Sequence, residues 1–214
     1  MAPWLLEFYL WMPELRNLPS TIIISLIAYG ISNIIIVYCR IPGCQAMKKC
    51  FPKMLPAQEA LLPSNSRLDF QTKMRYYSFL SEHVSGFEIH ESDTEMEGSV
   101  STAVTWLISQ TRDTTKFPLI AEENINFGFS YNLLGLKPYG IIVSILGIIF
   151  NLIMCYLNYK NILSIQFSLL IAGLVVNFLF LLLWIFIITK KLVISCGKKY
   201  ARALLSACDS PYLN

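Results

Sequence analysis

The chain has 214 residues, of which 55% are hydrophobic and only 14% are charged. Soluble domains carry roughly 25% charged residues, so this balance predicts an integral membrane protein with a modest water-facing part. The formal net charge of +3 at pH 7 excludes a polycation built to bind nucleic acid. The abundance of apolar side chains excludes intrinsic disorder.

The N-terminal segment, residues 1–20, is apolar and aromatic rather than basic. Trp4, Phe8 and Trp11 recur at about helical spacing, which suits the interface between lipid and water. No small-residue cleavage site follows, so the segment does not match a cleavable signal peptide. We expect an interfacial segment that remains attached, although an apolar leader without a role fits the same pattern.

Three uncharged stretches are long enough to cross roughly 30 Å of hydrocarbon at about 1.5 Å per residue. They are residues 21–38, 139–157 and 162–188. Only Asn158–Asn161 separates the last two, which predicts a tight helical hairpin. The alternative, that these are core helices of a soluble protein, is less favoured because such a core rarely carries three runs of this kind. The predicted fold class is therefore an all-α integral membrane protein.

The distribution of basic residues predicts the orientation. The flank before the first span holds one basic residue, the loop between the last two spans holds one, and four or five follow the first and third spans. They are Arg16 before the first span, Lys160 in the loop, Arg40, Lys48, Lys49 and Lys53 after the first span, and Lys190, Lys191, Lys198, Lys199 and Arg202 after the third span. The N-terminus and the hairpin loop should lie outside, and residues 39–138 and the C-terminus should lie in the cytoplasm.

Nearly all other charges lie in residues 39–138, which should face water. Within 39–111 we expect an irregular linker to residue 65, a helix over 66–85 capped by Ser66, and a second helix over 99–111. Two short helices bury a small core, so self-association or a partner should stabilise them.

The segments that flank the hairpin complete the organisation. Residues 112–138 are broken by glycine and proline, which predicts a membrane-proximal collar without a long helix. Residues 189–214 should form a basic cytoplasmic tail.

Each predicted span carries one stripe of small or polar residues against a back of Ile, Leu and Phe. In the second span the stripe contains Gly140, Ser144, Gly147 and Asn151, and in the third it contains Asn177. Such residues favour close contact between helices in lipid. A wet path formed by several copies of the chain is the alternative, because a buried amide is costly without a partner or water.

Catalytic, cofactor and metal signatures are not found in the sequence. His83 and His90 lie in an acidic run, which is more typical of a solvated loop than of a metal site. Arg112–Asp113 and Glu122–Glu123 are the best acid–base candidates by position, but salt bridges in the collar are the favoured interpretation. We therefore expect a protein that is not an enzyme and that takes no cofactor or metal.

The segment FPLIAEENINFGFSYNLLGLKPYGI, residues 117–141, followed by a hydrophobic hairpin, resembles small transmembrane effectors of bacterial anti-phage systems, of the two-transmembrane type associated with retrons. The chain departs from that pattern in having three predicted spans. The resemblance implies an abortive-infection toxin of the bacterial inner membrane, which would be restrained by a cytoplasmic sensor such as a reverse transcriptase with its DNA.

On release, such an effector would form homo-oligomers and permeabilise the membrane. No direct contact with nucleic acid is implied. The alternative function is a non-catalytic membrane anchor or scaffold that recruits a soluble partner, as accessory membrane proteins of CRISPR-type systems do.

Overall fold

The computed structural model describes residues 18–162 and 165–213, and this part of the chain is helical with no β-strand. The expected all-α class is thus confirmed for the described residues. Seven α-helices occur there, with a π-helical turn after α6 and a 3₁₀ turn after α7. They are α1 (Leu18–Cys50), α2 (Pro56–Ala60), α3 (Phe70–His83), α4 (Asp93–Gln110), α5 (Pro118–Tyr159), α6 (Phe167–Leu182, with the π-helical turn Leu183–Ile187) and α7 (Lys190–Leu205, with the 3₁₀ turn Ser206–Asp209).

The helices divide into two compact units. The apolar unit consists of the described residues of 18–46 and 132–189. The helical core unit consists of 47–131 and 190–213. The helical core unit is thus assembled from chain segments on both sides of the predicted hairpin.

Two helices are long and apolar enough to cross a membrane: α5, and α6 together with its π-helical turn. In the most apolar stretch of each, only 17% of the residues are buried. A core helix of a soluble protein would instead be mostly buried, and an exposed apolar surface of this size is unfavourable in water. Both helices therefore fit a lipid environment. The first predicted span, residues 21–38, lies within α1, and its crossing of the membrane stays a prediction.

Two segments expected to be irregular are helical, and these expectations are corrected. Helix α1 continues through Pro42 to Cys50, where a linker was expected from residue 39. Helix α5 begins at Pro118 and runs unbroken through Gly128 and Gly135, in place of the expected collar over 112–138. A glycine costs a helix only about 1 kcal/mol relative to alanine, and packing outweighs that cost where the helix buries Ile120 and Phe127.

The expectation for the segment after the third predicted span is also corrected. Residues 190–205 form an amphipathic helix, α7, rather than a tail. Its buried face consists of Val193, Gly197, Ala201 and Leu204, which recur at helical spacing.

The hydrophobic core of the helical core unit is therefore larger than the core that two short helices would form. It combines side chains from α2, α3, α4, α7 and the start of α5. Among them, Leu61, Leu80, Met96, Leu107 and Leu204 are fully buried.

The helices predicted in the cytoplasmic part exist with shifted ends. The first begins at Phe70 and is capped by Asp69, whose carboxylate accepts a hydrogen bond from Thr72 N at 2.9 Å, so Ser66 is not the cap. The second begins at Asp93 instead of residue 99. Acidic residues in the first turn favour this earlier start because they complement the positive end of the helix dipole.

A hydrogen bond joins described residues on either side of the connection between α5 and α6. The Asn158 side-chain oxygen accepts a hydrogen bond from Ile165 N at 3.0 Å. Asn161 has a positive φ of 56°, which reverses the chain after α5.

Candidate functional site

Helices α5 and α6 interlock through two reciprocal glycine–asparagine pairs. A Cβ atom placed on Gly147 of α5 would lie 2.2 Å from Asn177 Oδ1, and one placed on Gly173 of α6 would lie 2.5 Å from Asn151 Oδ1. Each asparagine thus fills the space left by a glycine on the facing helix. Small residues are what allow helix backbones to approach closely in lipid.

The two asparagines are completely buried in this seam. Asn151 Nδ2 donates a hydrogen bond to Gly147 O, and Asn177 Nδ2 donates one to Gly173 O, both at 3.0 Å. These bonds reduce the cost of placing an amide at this depth in an apolar helix pair.

Toward the start of the apolar part of α5 the seam continues with an aromatic contact. A Cβ atom on Gly140 would lie 2.1 Å from the Trp184 ring. The next stripe residue, Ser144, is buried, and its hydroxyl donates to Gly140 O at 2.9 Å.

Lys137 caps the C-terminal end of the facing helix. Its ammonium donates to Ile185 O at 3.0 Å and to Ile188 O at 2.8 Å. A cation at this end satisfies free carbonyls and complements the helix dipole.

The five residues predicted as packing or pore-lining candidates all lie on this one seam within a single chain. They are Gly140, Ser144, Gly147, Asn151 and Asn177. The outer faces of the two helices carry exposed apolar side chains instead. On α5 and α6 these include Ile142, Ile145, Leu146, Ile149, Leu152, Ile153, Ile171, Val175, Phe178 and Leu179. The arrangement suits a helical hairpin surrounded by lipid.

A second close crossing, between α1 and α5, was missed from the sequence. A Cβ atom on Gly135 would lie 2.4 Å from the Pro42 carbonyl carbon, and one on Gly43 would lie 2.0 Å from Asn132 Oδ1. The available signal was a glycine in each of two segments, but both segments were expected to be irregular. Trp184 and Lys137 were also missed, because their spacing carries no sign of the seam.

The helical core unit has a groove of about 730 Å³ between the loop after α2, α3 and the segment before α4. Phe70 and Met74 line it and are 77% and 42% exposed. Asp69, His90 and Glu91 also line it, so one edge is acidic.

A buried lysine organises the loop beside this groove. Lys73 donates hydrogen bonds to the backbone carbonyls of Leu62, at 2.8 Å, Pro63 and Asn65. Burial lowers the pKa of the Lys73 ammonium, and the Asp93 carboxylate opposes that change. Asp93 itself accepts hydrogen bonds from the backbone nitrogen and the hydroxyl of Ser64, so the loop is held at both ends.

Among the described residues, no ion pair within 4.0 Å joins the acid–base candidates to one another. Asp113 accepts hydrogen bonds from Thr115 N at 3.0 Å and from its hydroxyl at 2.6 Å. These bonds lower the pKa of the Asp113 carboxyl. Arg112, Glu122 and Glu123 join no ion pair within 4.0 Å among the described residues, so the expected salt bridges of the collar are not formed there.

The two histidines lie in different surroundings. The His83 ring stacks on Phe79 with 4.2 Å between ring centres. His90 lies 3.8 Å from Glu88 and 4.0 Å from Glu95. Over residues 18–162 and 165–213, no group of three or more His, Cys, Asp or Glu is arranged to hold a metal ion.

Comparison of the chain with models of known protein families, with curated proteins and with solved structures gives no match.

Proposed function

We propose that the chain is a non-catalytic membrane anchor, which holds the helical core unit at the cytoplasmic face of a bacterial inner membrane and recruits a soluble partner there. The observation that carries this proposal is the closed seam between α5 and α6. Because the small and polar residues Gly147, Asn151, Gly173 and Asn177 contact each other, the outer faces of α5 and α6 are mainly apolar, with Ser168 as an exposed polar exception near the start of α6. That is the requirement for an anchor, whereas a conducting path needs a polar face left for water.

The composition of the helical core unit supports the proposed topology. Residues 47–131 and 190–213 share one hydrophobic core. A bilayer cannot divide a compact core, so both segments must lie on the same side of the membrane. The intervening α5 and α6 then cross the bilayer twice and place Lys160 on the other side. The helical core unit holds many more Lys and Arg residues than the loop with Lys160, and this asymmetry supports a cytoplasmic location for the unit.

The groove beside Lys73 is the proposed partner site. Exposed Phe70 and Met74 supply apolar contact. Two acidic residues, Asp69 and Glu91, line the groove, and the stretch that contributes Glu91, residues 76–111, holds six acidic residues and no Lys or Arg. A protein segment with apolar and basic side chains complements both features.

A photo-crosslinking amino acid at position 70 tests this site in cells that naturally contain the chain. Position 108 on α4 is the matched control, because Ile108 is also a partly exposed apolar residue of the helical core unit. We expect one defined adduct from position 70 that contains an apolar, basic segment, and none from position 108. Equal adducts from both positions would contradict the assignment of the groove.

A second candidate function is the membrane-permeabilising effector of an anti-phage system. The reciprocity of the seam favours it, because the pairs Gly147–Asn177 and Asn151–Gly173 can form equally well between helices of two copies. Opening of the hairpin would then yield a homo-oligomer, which a cytoplasmic sensor would normally prevent. The resemblance of residues 117–141 to such effectors points the same way.

Regulated expression with a membrane-potential dye separates the two candidates. An anchor leaves the potential intact at every expression level. An effector collapses the potential once the chain exceeds its restraining partner.

A further inference from the structure

The helical core unit separates its charges by sign. Residues 47–53 and 190–202 hold eight Lys and Arg and no Asp or Glu. Residues 76–111 show the opposite pattern, with six acidic residues and no Lys or Arg.

The two basic segments are neighbours in space. A Cβ atom on Gly197 of α7 would lie 3.0 Å from the Phe51 ring and 3.2 Å from Pro56. The chain that leaves α1 therefore packs directly against α7. The Lys190 charge also acts on Cys50, where it opposes the rise in thiol pKa caused by burial.

Five lysines from these segments form what we call the basic surface: Lys48, Lys49, Lys53, Lys190 and Lys191. All five are exposed. Within the described residues none of them forms an ion pair within 4.0 Å, although Arg67 and Arg75 of the same unit do. Their mutual repulsion is therefore uncompensated by the protein, and an anionic partner would relieve it.

We propose that the basic surface binds the anionic phospholipid headgroups of the bilayer. The position of these lysines in the chain favours phospholipid as the partner. Lys190 comes three residues after the apolar helix that ends at Ile187. Lys48 and Lys49 lie in the last turn of the helix that contains the apolar run 21–38. Lysines next to an apolar span are attracted to anionic lipid by about 1 kcal/mol each, which corresponds to about fivefold in affinity. The proposal rests on the proposed function in one respect, that α5 and α6 lie in the membrane.

Lipid selection by the full chain tests the proposal. The protein is purified in a neutral detergent, mixed with equimolar phosphatidylglycerol and phosphatidylcholine, and the retained lipids are counted by native mass spectrometry. The variants are Lys48→Gln/Lys49→Gln and Lys190→Gln/Lys191→Gln. Arg112→Gln/Lys116→Gln is the matched control, because it also removes two exposed positive charges from the helical core unit.

We expect the wild type and the control to retain phosphatidylglycerol preferentially. Each test variant removes two lysines and should therefore lower that preference by about 25-fold, and raising the salt concentration should weaken it in the wild type. Equal retention of both lipids by the wild type would overturn the proposal, as would equal losses in test and control variants. Competition by 10 mM inorganic phosphate, or a preference for RNA over phosphatidylglycerol, would also overturn it.

Flotation of the chain with phosphatidylcholine vesicles distinguishes failure of this inference from failure of the proposed function. A chain that floats but shows no lipid preference is an anchor without the headgroup site. A chain that does not float at all is not anchored by α5 and α6.

Discussion

Asn177 occupies the space that a side chain at position 147 would need: its Oδ1 lies 2.2 Å from an ideal Cβ on Gly147. The converse pair, Asn151 against Gly173, repeats the relationship four residues along each helix. Two asparagines and two glycines therefore fix both the distance and the register of the α5–α6 hairpin. Close approach of this kind replaces the hydrophobic effect, which does not act between helices in lipid.

Gly147→Ala should destabilise the hairpin although alanine favours helices. Overpacking against the buried Asn177 should cost about 1–3 kcal/mol. Gly128→Ala is the control in the same helix, because its Cβ would meet only the Tyr131 hydroxyl at 3.8 Å. Unfolding in mixed micelles with increasing SDS, followed by circular dichroism, measures both. Equal stability of the two variants would argue against the seam.

Gly135→Ala should be more harmful than Gly147→Ala. The atoms that its Cβ would meet belong to the backbone of Pro42 and Gly43, which cannot move aside by a change of rotamer. We expect a loss of about 3 kcal/mol, at the upper end of overpacking costs. The same SDS titration measures this loss, and a loss smaller than that of Gly147→Ala would contradict the close crossing of α1 and α5.

Asn151→Leu should leave the hairpin assembled. Leucine is close to asparagine in shape, so it still fills the space left by Gly173 on the facing helix. The variant loses the hydrogen bond to Gly147 O. The expected cost is about 0.6–2 kcal/mol in the SDS titration. Membrane potential in expressing cells should be the same with either residue. A wild-type conductance that Asn151→Leu abolishes would instead place Asn151 on a water path, as the effector function requires.

Lys73→Met should destabilise the helical core unit. The change removes the donor for the carbonyls of Leu62, Pro63 and Asn65. The loss of hydrogen bonds from a charged group should lower the free energy of unfolding by roughly 1.5–3 kcal/mol. Lys116→Met is the control, because that side chain is exposed and is not buried against carbonyls. Thermal unfolding of the full chain in detergent provides the measurement.

The apolar helices and the stripe on α5 could be predicted from the sequence because both depend on local periodicity. The partner of each stripe residue could not be predicted, since reciprocal contact between Gly147 and Asn177 depends on the register of two helices. The collar was mispredicted for a related reason. Gly128 and Gly135 weaken a helix in isolation, and only contacts with distant segments explain why α5 passes through both.

The same limit explains why the contribution of α7 to the core of the helical core unit was not predicted. The spacing of Val193, Gly197, Ala201 and Leu204 on α7 carries a helical signal, but the flanking lysines suggested a tail. The partners that bury this face, such as Phe51 and Pro56, lie about 140 residues earlier in the sequence. The shared core of 47–131 and 190–213 therefore emerges only in the structure.

We propose that α5 and α6 form a transmembrane hairpin, so that the chain segments before α5 and after α6 lie on the same side of the membrane. Thiol labelling of the full chain in intact cells tests this most directly, with single cysteines at positions 95, 160 and 212 in a variant whose six native cysteines are replaced. All three positions are exposed. A membrane-impermeant reagent should label position 160 in intact cells, and positions 95 and 212 only after the inner membrane is permeabilised. Labelling of 95 and 212 from opposite sides, or protection of 160 until permeabilisation, would rule out this hairpin.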